Sequence, residues 1–167
     1  LTHAGGLWSR TVEELAADDD VTSQAFWRSV RAKVLAHEKR AAEAVPLAEF
    51  MQSLCEEIAQ GEHVPKGCIV IQIPGDVHIV FDRGHLSQIM WNLVRNAWQH
   101  CRKSAGSIQI VARVGYMGDA IICELNDDGP GIPADIRTNI FEPFFTTRSG
   151  GTGLGLYIAR ELARAND

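Results

Sequence analysis

Asn92, Asn96, Gln99 and His100 fall at i, i+4, i+7 and i+8 along one stretch of the chain. At helical spacing they stack uncharged polar groups along one line. Asparagine is a mediocre helix former, so two of them one turn apart call for a reason. A second feature is Asp127, which ends an apolar run and opens Asp128-Gly129-Pro130-Gly131-Ile132-Pro133. The glycines permit close approach of a small molecule that a side chain would block. A third is Gly150-Gly151-Thr152-Gly153-Leu154-Gly155, which runs into Leu156, Tyr157, Ile158, Ala159, Leu162 and Ala163 at helical spacing. Glycines opening a helix expose its unpaired N–H groups and positive dipole end, a physical site for phosphate oxygens. Each feature alone also has a structural explanation: asparagines on a solvated face, a turn-forming aspartate, a flexible glycine loop.

The elements that must position these residues are legible in the apolar pattern. Leu86, Ile89, Met90, Leu93, Val94 and Ala97 repeat at helical intervals beside the polar line, so this helix packs its apolar face on a sheet. Pro46 precedes a second helical run, Leu47, Phe50, Met51, Leu54, Cys55 and Ile58. Residues 68–73 and 77–81 read as strands separated by Pro74-Gly75-Asp76, which predicts a hairpin, and 108–114 and 120–125 as two further strands. Residues 132–150 contain Phe141, Phe144 and Phe145 but no long-period element; loops of this length are functional or disordered, and the aromatics read as anchors.

Before Val45 the pattern changes. Ala4, Trp8, Val12 and Leu15 form one helical stripe and Phe26, Val30 and Val34 another, separated by Asp18-Asp19-Asp20. Two helices with one stripe each do not make a stable unit, so the reading is a helical hairpin over 1–45 that pairs with a second copy as a four-helix bundle, giving a homodimer. Residues 46–167 form the second domain.

Bulk properties exclude several classes. The 167 residues carry 16 basic and 21 acidic side chains, a formal charge of −5, with no counterion-release advantage on nucleic acid or an anionic membrane. Cys55, Cys68, Cys101 and Cys123 show no C-x-x-C pair and no histidine at metal-ligand spacing, so neither a zinc knuckle nor a disulfide scaffold is indicated and a reducing, cytoplasmic setting is expected. No apolar run approaches the roughly 20 residues of a membrane helix. Trp8, Trp27, Trp91 and Trp98 read as packing residues; His63, His78 and His85 receive no role.

In order, the segments Leu86 to Ala97, D-D-G-P-G-I-P, F-E-P-F-F-T-T and G-T-G-L-G-L resemble the N box, first glycine box, F box and second glycine box of the GHKL ATPase superfamily. Members that hydrolyse ATP generally carry a glutamate one turn before the equivalent of Asn96. Here that residue is Asn92, so the resemblance leans away from gyrase-, MutL- and Hsp90-like hydrolases and from anti-sigma serine kinases, and toward sensor histidine kinases. E-P-F-F-T-T-R and T-H-A-G-G-L are similar to the nitrogen-regulation and type IV pilus class of those sensors.

The resemblance implies an α+β fold, a two-layer α/β sandwich of the Bergerat type preceded by a helical hairpin. It implies ATP and Mg²⁺ as ligands. Asp127 would accept a hydrogen bond from the adenine amino group, with Gly129, Gly131 and Ile132 shaping the purine pocket. Asn96 would hold Mg²⁺, with Asn92 in support, and Gln99 and His100 would face the nucleotide. Gly151, Thr152, Gly153, Leu154 and Gly155 would cradle phosphates under a lid over 132–150 that brings Thr146, Thr147 and Arg148. The γ-phosphoryl group would pass to a histidine on a dimerisation helix, for relay to a response regulator.

The chain departs from that family pattern in three places. Gln99 stands where lysine or arginine is common. No H-E-x-x-[NT]-P phosphoacceptor box is present; His37-Glu38 matches two letters and reads as a solvated face. The strands that follow the second glycine box in the family are expected to be missing after Asp167, leaving an open sheet edge. A nucleotide-binding, dimerising module without catalysis is therefore the alternative reading.

Overall fold

A computed structural model describes residues 44–115 and 120–166, together with the backbone of Ala32–Leu35. Its elements are β1 (Ala32–Leu35), β2 (Ala44–Pro46), α1 (Leu47–Gly61), β3 (Ile69–Gln72), β4 (His78–Val80), α2 (Arg83–His100), β5 (Ile108–Val114), β6 (Ala120–Asp127), a 3-10 turn (Ala134–Ile136) and α3 (Gly155–Arg164). They form a two-layer α/β sandwich. The main sheet has the order β1-β6-β5-β3, with β3 and β5 parallel and the other pairs antiparallel; β2 and β4 form a separate antiparallel pair.

Alternation along β5 assigns its faces. Ile108, Ile110 and Ala112 are buried toward the helices, whereas Arg113 lies on the opposite face and donates to Glu124 at 2.7 Å. Helix α1 buries Leu47, Met51, Leu54, Cys55 and Ile58, and α2 buries Leu86, Ile89, Met90, Leu93, Val94 and Ala97, as their spacing predicts. Helix α3 lies against α2 and contributes buried Ala159 to the same core. Burial pushes the Cys55 and Cys123 thiols up to about 12, so both stay protonated and unreactive at neutral pH. No described helix is long and apolar enough to cross a membrane.

Two sequence expectations need correction. The strands around Pro74-Gly75-Asp76 do not form a hairpin: β3 pairs parallel with β5, and β4 pairs with β2. The α2 crossover supplies the long connection that parallel pairing requires, and Val45 against Ile79, exposed 0% and 1%, buries β4 better on the other side. Val34 was expected at the end of a helix, yet Ala32–Leu35 is a strand that covers the outer edge of β6, satisfying backbone groups that an open edge would leave to solvent. The remaining residues of 1–43, where most of the expected 1–45 helical hairpin falls, with Trp8, Trp27 and His37-Glu38, lie outside the described residues.

Asp82 caps α2, its Oδ1 accepting the His85 N–H at 2.8 Å. That bond, aided by the nearby His85 imidazole, holds the Asp82 carboxyl below the usual carboxylate range. A depressed carboxylate stabilises the fold above its unfolded pKa and loses that contribution as pH falls through the folded value. The His85 amide proton resonance should therefore titrate with a midpoint below 3.8, and Asp82→Ala should abolish that titration in a pH series of amide spectra.

Candidate functional site

Burying the apolar side of α2 turns Asn92, Asn96, Gln99 and His100 to its flank. Asn92, Asn96 and His100 are half-buried and Gln99 is exposed. The Asn92 amide donates to the Gln88 carbonyl one turn back at 2.9 Å, which leaves its Oδ1 facing the first residue of α3: a Cβ on Gly155 would lie 3.3 Å from it. Asn96 makes no side-chain hydrogen bond to another described residue.

Asp127 is the last residue of β6 and is 2% exposed. Its Oδ1 accepts the Gly129 N–H at 2.9 Å, while the Oδ2 atom is buried with no hydrogen-bond donor upon it among the described residues. A buried carboxylate oxygen calls for a donor, so the position suits a ligand N–H. The turn after it runs against the end of α2: a Cβ on Gly129 would sit 2.6 Å from both Asp127 Oδ1 and the His100 carbonyl oxygen. Glycine is required here by space. The turn thus brings the strand's acid and the helix's polar line to one place.

Residues 132–150 fold as a chain of short turns, with Asn139, Glu142 and Phe145 each donating to the carbonyl three residues earlier. Phe141 is buried, and the Arg160 guanidinium from α3 lies 5.9 Å from its ring centre and 5.6 Å from that of Tyr157. This cationic clamp was not legible in the sequence, although Arg160 sits three residues after Tyr157 on one helical face. Phe144 behaves otherwise than expected of an anchor: it is 73% exposed and holds a left-handed φ of 66°. A bulky residue there costs about 1–2 kcal/mol. Its backbone is fixed by Gly153, whose φ is 67° and whose Cβ would meet the Phe144 carbonyl carbon at 2.3 Å.

The loop also reaches α2 directly, where Arg148 Nη1 donates to Gln99 Oε1. Thr146 Oγ1 accepts the Arg148 N–H at 3.1 Å, and Thr152 Oγ1 accepts the Leu154 N–H at 3.4 Å, so both threonines shape turns. Gly151 packs against Thr146; Thr147 is exposed and makes no bond to another described residue. Gly131 is buried, and Ile132, half-buried, accepts Arg137 Nε on its carbonyl at 3.0 Å. Leu154, the N-cap of α3, gives no side-chain bond to the first turn, whose N–H groups are thus left for another acceptor. His85, given no role from sequence, interacts through Nδ1 with the Asn166 amide at 2.8 Å and ties the end of α3 to the start of α2. Trp91 and Trp98 are partly buried against the core, as read.

Comparisons with known proteins bear on the family and the fold. A family model described as histidine kinase-, DNA gyrase B-, and HSP90-like ATPase matches residues 81–166. The sensor protein kinase PilS of Pseudomonas aeruginosa is 44% identical over 94 residues, 55% of this chain and 18% of PilS. The sensory histidine kinase/phosphatase NtrB of Klebsiella oxytoca is 36% identical over 89 residues, 48% of this chain and 26% of NtrB. The matches thus span between a sixth and a third of these relatives' length. Among solved structures, the catalytic domain of histidine kinase ThkA superposes with a TM-score of 0.58 at 29% identity, over 71% of this chain and 78% of that one. Full-length ShkA in complex with AMPPNP gives 0.56 at 28% identity, over 72% of this chain and 25% of that one.

Gly153→Ala should dislodge the loop and spare the core, because its Cβ has room only if Phe144 moves. Amide hydrogen exchange is expected to accelerate across 139–154 while β5 and β6 keep their protection; unchanged exchange in the loop would contradict the backbone contact.

Proposed function

The chain belongs to the histidine kinase-, DNA gyrase B-, and HSP90-like ATPase family, and on that footing we propose that it is the ATP-binding catalytic region of a two-component sensor histidine kinase. The observation that carries this reading is the meeting of buried Asp127, the polar line of α2 and the uncapped start of α3 in a chain whose relatives are sensor kinases.

Asp127 accepts the exocyclic amino group of adenine, and Gly129, Gly131 and Ile132 line the ring. A carboxylate acceptor rejects the carbonyl of guanine at that position, which supplies base selectivity. Asn96 offers an uncommitted amide oxygen at the edge of the site, a donor type that suits Mg²⁺. When bound, that ion supplies neutralisation of phosphate charge. Asn92, which lies against the start of α3, supports the metal-bound phosphates, and the N–H groups of that turn, with Gly151, Thr152, Gly153, Leu154 and Gly155, cradle them. Thr146, Thr147 and Arg148 close over them from the loop, with Arg148 brought to Gln99 on the helix; His100 flanks the base.

Transfer of the γ-phosphoryl group then needs positioning and charge stabilisation more than covalent chemistry from this domain. One turn before Asn96 the chain has Asn92, which cannot accept a proton from water, so the acceptor is a protein histidine on a dimerisation helix and the product is relayed to a response regulator. The active assembly is a cytoplasmic homodimer joined through the N-terminal helices. A second reading is a nucleotide-binding and dimerising module without catalysis.

Calorimetric titration of Mg-ATP and Mg-GTP tests the site. Mg-ATP is expected to bind in preference to Mg-GTP; Asp127→Ala should weaken Mg-ATP by about tenfold to a hundredfold and erase the preference, in line with loss of a charge-assisted bond. Asn96→Ala should make binding insensitive to magnesium. No binding by the folded native chain would sink the reading.

Phosphotransfer separates the two functions. A separately produced H-box helical hairpin should become labelled from γ-labelled ATP in the presence of this chain; bound ATP without labelling would favour the non-catalytic module.

A further inference from the structure

Among the described residues, a connected side-chain network outside the residues assigned above centres on Asp128. Its Oδ1 accepts the Arg102 N–H at 2.8 Å, its Oδ2 accepts the Ser107 hydroxyl at 2.9 Å, and its own N–H donates to the Ser107 carbonyl at 3.1 Å. Ser107, 2% exposed, accepts the Ser104 N–H on Oγ at 2.9 Å, and its Oγ lies 3.0 Å from Ser104 Oγ. Arg102 follows the end of α2 by two residues, and Asp128 follows the end of β6 by one. One carboxylate therefore clamps the chain leaving α2 to the turn leaving β6. The same turn presses Gly129 against the His100 carbonyl, and Asn96 lies one helical turn before His100.

A ligand held at both ends binds more tightly than either half only when the spacing between the two grips is fixed. Asp127 grips the base and α2 the metal-bound phosphates. We propose that Asp128 is a positioning residue that sets the distance between the base acceptor and the polar line of α2, so that Mg-ATP is bound as one unit. This inference rests on the nucleotide reading given above. Both oxygens of Asp128 are engaged within the protein, by Arg102 and Ser107. The clamp depends on Asp128 offering two polar atoms at once, one to the Arg102 backbone and one to the Ser107 side chain.

The test compares adenosine, which engages only the base grip, with Mg-ATP, which engages both. In the full chain, Asp128→Ala should weaken Mg-ATP about tenfold and adenosine less than about twofold. Asp128→Asn should keep both within about twofold of the native chain. Its amide oxygen still accepts from Arg102, and its NH₂ donates to Ser107 Oγ, whose own proton turns to Ser104 Oγ. Ser107→Ala, which removes one arm of the clamp, should fall between these two for Mg-ATP and serves if Asp128→Ala does not fold. Equal losses for the two ligands, an asparagine variant no better than alanine, or an alanine variant that binds Mg-ATP like the native chain would each overturn the proposal. Those outcomes leave the nucleotide reading standing; a native chain that binds neither ligand would remove both.

Discussion

Helix α2 buries Leu86, Ile89, Met90, Leu93, Val94 and Ala97 beneath the sheet, and only one rotation about its axis does so. That constraint determines the direction of every polar group the site uses. With the apolar face inward, Asn92 meets the first turn of α3, Gln99 meets the loop, and the His100 carbonyl meets Gly129. A rotation of one residue would withdraw all three contacts together and place an asparagine in the core, where its amide would lack partners. The site therefore inherits its geometry from apolar packing.

The other side of the site is held by backbone against backbone. Gly129 and Gly153 sit where a Cβ has no space, and the loop is laid over α3 with Phe144 in a left-handed conformation. Such strain persists only where surrounding contacts over-determine it. Here they are Phe141 beneath Arg160, the successive turns of 134–145, and Arg148 on Gln99. The loop is thus seated on α3 through Phe141 and on α2 through Arg148, with its own turns holding the stretch between them.

Much of this was legible in the residues. Helical periodicity located α1 and α2, β5 matched its expected bounds, and the glycine run did open a helix. The polar line of α2 and Asp127 could be singled out because their types conflict with their positions: asparagines in a strong helix, an acid ending an apolar strand. Pairing was less legible. Residues 68–73 and 77–81 look like a hairpin because short apolar runs specify strands and not partners, and the partner of β4 proved to be a three-residue segment before α1. Arg160, Asp128 and His85 received no role of their own from the sequence because their partners are distant in the chain, and an exposed-looking polar group carries no local signal of what it stacks on or clamps.

The pair β2–β4 has a mechanical meaning. Ala44 is matched to Val80, only two residues before Asp82, the cap of α2, and the first amide of α1, Leu47, donates to the Val77 carbonyl at 3.0 Å. The segment leading into α1 is therefore fastened to the root of the helix that carries the polar line. Force arriving at Ala44 is carried by β4 and then by α2, whereas force applied before Ala32 meets the β1–β6 pair of the main sheet first. The domain has a handle, attached where a small pull has the shortest path to the site.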